Sequence, residues 1–153
     1  MTKIIVDSNI IFSAMLNLDS RIAQILINGG DLYDFYAPKY VRTEIWEHQD
    51  KLKKIAKLDD EEFIEVYELV LKNITILDHS IIPIEKYKKA AELCKTIDVE
   101  DTIFVAFSYF LNGKLWTRDK KLINGLLKEE KEMTISTADF YKEFLQKKKQ
   151  KKS

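Results

Sequence analysis

The stretch Lys3-Ile4-Ile5-Val6-Asp7 near the start of the chain decides how the rest of the sequence is interpreted. An unbroken run of β-branched residues is typical of a strand that is buried on both faces of a parallel sheet. The run ends at a carboxylate, and Ser8 and Asn9 follow it. Ligands of parallel sheets bind beyond the carboxyl ends of the strands, so Asp7 is the first candidate functional residue. The structural alternative for Asp7 is a turn or helix-capping role.

Other short apolar runs also have the length and composition of strands, and stretches with helical periodicity separate them. The predicted strands cover residues 3–7, 32–37, 74–77, 114–117 and 133–136. The predicted helices begin near Ser20, Pro38, Asp59, Pro83, Glu100 or Asp101, Asp119 and Thr137, and the Pro38 helix is expected to run as one unit through Ile55. This alternation indicates one α/β domain, residues 1–146, with a mainly parallel sheet that helices cover on both faces.

The composition fits a compact domain in a reducing compartment. The chain has 153 residues, of which 25 are basic and 25 are acidic, and its single cysteine, Cys94, allows no internal disulfide. We expect Cys94 to lie in the core. No apolar run reaches the roughly 18 residues of a membrane helix, and the N-terminus lacks the pattern of a signal peptide. These observations predict a cytoplasmic protein without a membrane partner.

Further carboxylates stand where predicted helices begin. Asp119 follows the predicted fourth strand directly and is also an ordinary N-cap candidate. Asp101 opens a very apolar helix, and Asp98 and Glu100 stand within three residues of it. Capping explains acids at this place, but three carboxylates in four residues repel one another more than a cap requires. Because the helix that follows is apolar nearly all round, its first turn is expected at the centre of the fold.

A fourth candidate, Glu44, lies beside the buried stripe of its predicted helix, where a solvated surface position is the alternative. Together these acids match the oxygen ligands that Mg²⁺ and Mn²⁺ prefer. The sequence has no Cys/His spacing for zinc and no glycine-rich phosphate loop. His48 and His79 are isolated, and neither is expected to bind a metal.

The ordered motifs of the chain resemble those of PIN-domain proteins. The segment Ile4-Ile5-Val6-Asp7-Ser8-Asn9-Ile10-Ile11-Phe12-Ser13-Ala14 is similar to the opening strand and motif of the family. Val41-Arg42-Thr43-Glu44-Ile45 resembles the segment of the second acid, and Asp101-Thr102-Ile103-Phe104-Val105-Ala106 resembles the third motif. Leu115-Trp116-Thr117-Arg118-Asp119-Lys120-Lys121-Leu122 resembles the fourth. The motifs span residues 3–136 in the family's order, and the ordered set is more specific than any one of them.

The resemblance implies a three-layer α/β/α sandwich and a metal-dependent ribonuclease, with VapC-like toxins among the relatives. It implies Mg²⁺ or Mn²⁺ as the cofactor, RNA as the substrate, and an antitoxin protein and a second copy of the chain as partners. The acids implied as catalytic and metal-binding are Asp7, Glu44, Asp101 and Asp119. The side chains implied around them are Ser8, Asn9 and Thr117, together with the extra acids Asp98 and Glu100, one of which could assist or replace Asp101.

The last residues, 147–153, are a basic tail in a chain of zero net charge. One interpretation is a solvated helix end, since lysines suit the negative end of a helix dipole. The other is contact with the RNA backbone through Lys147, Lys148 and Lys149, and Lys120 is a further candidate for such a contact. On either interpretation, removal of the tail is expected to leave stability unchanged.

The expected chemistry is metal-assisted hydrolysis of a phosphodiester, with a metal-bound water attacking in line. A haloacid-dehalogenase-like phosphatase also begins with an Asp after an apolar strand, but it needs a second Asp where this chain has Asn9. A receiver domain needs an acidic pair, and Asp7 is followed by Ser8. The alternative from another class is a PIN-like module that binds RNA or serves as a scaffold without cutting.

Overall fold

The computed structural model describes residues 1–98, 101–129 and 133–152, with only the backbone of residues 127–129. Glu100 and Ser153 lie outside the described residues. The strands are β1 Thr2–Val6, β2 Tyr33–Pro38, β3 Ile74–Leu77, β4 Lys114–Trp116 and β5 Thr134–Ile135. The helices are α1 Ser8–Leu16, α2 Arg21–Asn28, α3 Tyr40–Glu47, α4 Gln49–Ala56, α5 Asp60–Leu71, α6 Ile84–Cys94, α7 Thr102–Leu111, α8 Lys120–Glu129 and α9 Thr137–Lys152, and a 3-10 turn covers His79–Ile81.

The described strands form one sheet in the order β3-β2-β1-β4-β5, and each neighbouring pair is parallel. β1 lies at the centre, and its Ile4, Ile5 and Val6 are fully buried. The predicted parallel sheet and its five strands are therefore confirmed, with shifts of at most one residue at their ends.

Helices cover both faces of the sheet, as the α/β/α expectation requires. From β1 the chain adds β2 and β3 in one direction along the sheet, and it then crosses back to add β4 and β5 in the other direction. Because parallel crossovers are right-handed, α1–α5 lie on one face of the sheet and α6–α8 on the other. α9 returns to the first face, where Phe140 packs edge-on against Trp116 of β4 at 4.8 Å between ring centroids. Ile5 points to the second face, on which α7 contacts β1, β2 and β4.

Local sequence explains most helix boundaries. Ser20 caps α2 by accepting a hydrogen bond from the Ala23 N–H, and Asp59 forms a reciprocal capping box with Glu62 at the start of α5. Asn112 ends α7 in the left-handed conformation, with a φ of 54°. Cys94 is buried in the core, as expected.

The predicted single helix from Pro38 through Ile55 is wrong. Pro38 is the last residue of β2 and pairs with Leu77 of β3. The backbone of His48 leaves the helical conformation, with φ −102° and ψ 14°, and divides the segment into α3 and α4. Ile55 is 55% exposed and does not belong to a buried stripe. The helix α1 directly after Asp7 was not among the predicted elements.

The C-terminal lysines continue α9 to Lys152 without a break, so no structural boundary falls at residue 146. Lys148 and Lys151 form ion pairs with Asp31 at 3.2 and 2.6 Å. The Lys147 ammonium lies 4.5 Å from the centre of the Tyr33 ring. The tail therefore has specific contacts beside the amino end of β2, and the expectation that its removal leaves stability unchanged does not follow from this structure.

In the described part of the chain, no single helix has both the length and the apolar composition to cross a membrane. Only α1 and α2 taken together meet those two criteria, and the pair is bent by 103°.

Candidate active site

The carboxyl ends of β1 and β4 lie side by side at the point where the strand order reverses. Val6 of β1 pairs with Trp116 of β4, and the Asp7 N–H donates to the Trp116 carbonyl at 3.1 Å. The chain leaves β1 toward one face of the sheet and leaves β4 toward the other. Such a reversal opens a crevice beyond the strand ends, which is where ligands of open α/β sheets bind.

A cavity of about 180 Å³ occupies this crevice. It is lined by Asp7, Ser8, Asn9, Tyr40, Glu44, Asp98, Asp101, Phe104 and Asp119. The structure thus brings together all four acids of the predicted quartet and the extra acid Asp98. A larger cavity of about 470 Å³, with Lys86, Lys89 and Lys114 in its wall, begins at the amino end of β4 and contains none of the predicted site residues.

Each acid reaches the cavity from a different element. Asp7 follows β1, Glu44 lies on α3, Asp101 precedes α7 and Asp119 precedes α8. Asp119 caps its helix by accepting the Leu122 N–H at 3.1 Å, so that residue has the capping role considered from the sequence.

Two other N-cap acids of the cavity do not cap. Neither Asp7 nor Asp101 accepts a side-chain capping hydrogen bond from the described residues of its helix. Capping therefore does not explain why the fold keeps a carboxylate at either position.

Hydrogen bonds fix the orientation of the Asp7 carboxylate. Thr117 Oγ1 donates to Asp7 Oδ2 at 2.6 Å, and Asn9 Nδ2 donates to the same oxygen at 3.1 Å. Ser8 Oγ stands 3.4 Å from both Asp7 Oδ1 and Glu44 Oε2, so one hydroxyl lies between two acids. Asp119 joins the network through its N–H, which donates to Thr117 Oγ1 at 3.1 Å.

Burial dominates the electrostatics of Asp7. Asp7 is only 4% exposed, and the loss of hydration on burial raises the pKa of its carboxyl group. Hydrogen bonds from Thr117 and Ser8 act in the opposite direction, while the charge of Asp119 raises the pKa further. The carboxylate form of Asp7 is thus costly in this cavity, and a bound cation would lower that cost.

The side-chain oxygens that line the cavity indicate which kind of metal ion would fit there. Apart from the phenol of Tyr40, the titratable side chains in the cavity wall are carboxylates. Glu44 Oε1 and Asp101 Oδ2 are buried oxygens that accept no hydrogen bond from the described residues, although both side chains have other interactions. This chemistry fits a hard divalent cation and not zinc. As they stand, no three His, Cys, Asp or Glu side chains in the described ranges are grouped closely enough to hold one ion, so binding of an ion by three of them would need side-chain rotation.

The predicted RNA-binding lysines divide into two places. Lys120 is exposed at the first position of α8, next to Asp119. Lys147, Lys148 and Lys149 lie near the C-terminal end of α9, where Lys147 contacts Tyr33 and Lys148 contacts Asp31 at the amino end of β2. The structure does not bring the tail lysines to the acidic cavity.

Sequence reasoning missed two aromatic residues of the cavity wall, Tyr40 and Phe104. Tyr40 precedes Glu44 by four residues on α3, and Phe104 follows Asp101 by three on α7. The helical spacing of i, i+3 and i+4 neighbours was the available signal, since such residues share a helix face.

Comparisons with known proteins agree with this architecture. The sequence pattern of the PIN domain family matches residues 5–139. No curated protein matches the sequence. A chain in the crystal structure of VapBC2 from Rickettsia felis bound to a DNA fragment from their promoter has a similar fold, with a TM-score of 0.67 and 15% identity. The likeness covers 88% of this chain and 98% of the other. Since the family match extends over most of its length and includes every acid of the cavity, this chain belongs to the PIN domain family.

Proposed function

We propose that this chain is a metal-dependent ribonuclease that hydrolyses RNA phosphodiester bonds at the acidic cavity. The observation that carries the proposal is the convergence of Asp7, Glu44, Asp101 and Asp119 from four separate elements on one cavity beside β1 and β4. Membership of the PIN domain family supports it, because members of that family are generally nucleases.

The four acids would hold Mg²⁺ or Mn²⁺. When bound, such an ion supplies a water of lowered pKa and offsets the negative charge of the phosphodiester. Its binding would also relieve the repulsion among the carboxylates, which otherwise opposes the approach of RNA.

The side chains of the protein keep these acids in place. Thr117 and Asn9 both donate to Asp7 Oδ2, while the Ser8 hydroxyl lies 3.4 Å from Asp7 Oδ1. Asp119 uses Oδ1 for its helix cap, so its other oxygen can serve the cavity. Asp98 adds a carboxylate next to Asp101, and its role there is to raise the affinity for cations.

The test of this function is metal-dependent cleavage of an end-labelled RNA by the full chain. We expect cleavage in Mg²⁺ or Mn²⁺, loss of cleavage in excess chelator, and recovery when the metal is restored. The competing function is a module that binds RNA without cutting it. Unchanged RNA in every metal, together with RNA binding that chelator does not affect, would establish that competitor.

We further propose that the nuclease is the toxin of a toxin–antitoxin pair, with an antitoxin protein as its partner. The similarity in fold to a chain of a VapBC2 complex supports this role. Induced expression of the wild-type chain should arrest bacterial growth, and expression of Asp7→Asn to the same level should not. Equal growth in the two cultures would contradict the toxin role and leave the nuclease test unaffected.

A further inference from the structure

Arg118 lies between two residues of the site but forms no ion pair with a carboxylate of the described residues. It follows Thr117, which bonds Asp7, and precedes Asp119, which lines the cavity. Its side chain is exposed, and Nη1 donates a hydrogen bond to Ser13 Oγ at 2.9 Å. A guanidinium next to such a carboxylate cluster would ordinarily be attracted into it, and here a neutral hydroxyl holds it outside.

The hydrogen bond to Ser13 leaves most of the guanidinium donors available for a ligand. Arginine carries five N–H donors in a planar fork, and the serine occupies one of them. The remaining donors match the geometry of two phosphate oxygens, which arginine binds in a bidentate manner.

The backbone determines how far the guanidinium is from the cavity. Asn9 lines the cavity and accepts the Arg118 N–H at 3.3 Å, while Ser13 lies four residues later on α1. Side chains four residues apart on a helix are about 5–6 Å apart. The guanidinium therefore lies about one helical turn from the cavity wall, beside the acids and not among them.

We infer that Arg118 binds the phosphate of the RNA strand that flanks the phosphodiester held at the acidic cavity. This inference rests on the proposed function. The carboxylates repel the RNA backbone, and a cation placed one helical turn away gives the strand a site of attraction. Arg118 thus supplies affinity and register, while the carboxylates hold the metal.

The test is RNA binding by the full chain in an Asp101→Asn background with chelator present, so that no cleavage interferes. The probe is a short unstructured oligouridylate, followed by fluorescence anisotropy over a series of salt concentrations. We expect Arg118→Gln to weaken binding about tenfold and to reduce the slope of log affinity against log salt by about one. Arg118→Lys should keep the salt slope and recover only part of the affinity, because it retains the charge and loses the fork.

Arg42→Gln is the matched control. Arg42 is exposed on α3, two residues from both Tyr40 and Glu44, so its side chain leaves the opposite side of that helix. It should bind like the parent. Parental affinity and slope in Arg118→Gln, or equal weakening in Arg42→Gln, would overturn the inference. Either result is separate from the cleavage test, because metal-dependent cutting by the wild type is measured independently of it. Both substitutions keep the backbone N–H, and unfolding curves will show whether each variant is folded.

Discussion

At the scale of single residues, the contact between Thr117 and Asp7 joins two buried residues of the site. Thr117 is 2% exposed, Asp7 is 4% exposed, and the hydroxyl donates to the carboxylate at 2.6 Å. A buried carboxylate that loses a donor keeps its cost of desolvation without the compensating bond. The threonine hydroxyl therefore matters both for stability and for the direction in which Asp7 points.

Thr117→Val removes this hydroxyl and keeps the shape of the side chain. We expect the free energy of unfolding without metal to fall by about 1–3 kcal/mol at neutral pH. Metal affinity or cleavage should fall about 10- to 100-fold, as when other groups that orient a metal ligand are removed. Urea unfolding and Mn²⁺-dependent cleavage measure the two effects. Thr117→Ser keeps a hydroxyl and should be close to wild type in both stability and cleavage. If Thr117→Val equalled wild type in both measurements, Thr117 would have no role in the site.

At the scale of elements, Asp119 combines a helix cap with a position in the cavity. One oxygen accepts the Leu122 N–H at the start of α8, and the residue lines the cavity with the other acids. Capping needs only a side-chain oxygen, whereas a metal ion needs a carboxylate charge. The two roles can therefore be separated by substitution.

Asp119→Ser keeps a capping oxygen, and Asp119→Ala removes it. Without metal, we expect the serine variant to unfold within about 0.5 kcal/mol of wild type and the alanine variant to lose about 1 kcal/mol. With Mn²⁺, wild type should gain thermal stability, since the ion binds the folded state only, and both variants should lose most of that gain. If Mn²⁺ raised the melting temperature of Asp119→Ser as much as that of wild type, the Asp119 carboxylate would not be a metal ligand.

The elements also show which features were accessible from sequence. The strands were predictable because short runs rich in apolar residues, β-branched in β1 and β3, alternate with helical patterns, and so were the carboxyl-end positions of Asp7 and Asp119. Helix α1 was not, because Ile10, Ile11, Ala14 and Met15 bury most of its surface and leave little amphipathic pattern. The break at His48 depends on the packing of α3 and α4 against α1, which involves residues distant in sequence.

The same limit applies to the site. Sequence order and motif spacing predicted the four acids, and the crossover geometry explains why they meet. The hydrogen bond from Thr117 to Asp7 joins residues 110 positions apart, and no local pattern specifies it. The position of Arg118 against Ser13 is also a tertiary contact, and for that reason its role could not be inferred from the charge of the residue.

At the scale of the whole molecule, two clusters of charge in the described part of the chain lie at opposite ends of the sheet. The carboxylates gather beyond the carboxyl ends of β1 and β4, while Lys148 and Lys151 lie beside the amino end of β2 on Asp31. A chain of zero net charge thus contains a local cluster of carboxylates and a separate local cluster of lysines. The last helix spans the distance between them, since it begins after β5 and its end contacts Asp31, two residues before β2.

The Asp31 cluster leads to a prediction about pH. Hydrogen bonds from Lys151 and then Lys148 lower the pKa of Asp31 to about 2. A carboxyl whose pKa is lower in the folded state stabilises it above the pKa of the unfolded chain, and this contribution disappears as the pH falls through about 2. Asp31→Asn should therefore melt slightly below wild type at neutral pH, with the difference closing in acid and in high salt.

Thermal unfolding of both proteins across the pH range checks this prediction. Asp19→Asn, on an exposed loop and without a lysine partner among the described residues, is the control for loss of a surface charge. A difference between Asp31→Asn and wild type that persists in strong acid would show that the effect does not come from the ion pairs.

The central claim, that the acidic cavity is the active site, is tested most directly by cleavage of RNA in Mn²⁺ by Asp7→Asn and Asp101→Asn. Each change keeps the shape of the side chain and removes one charge. We expect both variants to fold, and we expect their cleavage rates to equal the rate at which RNA breaks in buffer alone. Asp139 is an exposed acid on α9, and Asp139→Asn should cut RNA at the wild-type rate. Folded Asp7→Asn and Asp101→Asn proteins that cut RNA at the wild-type rate would contradict the account.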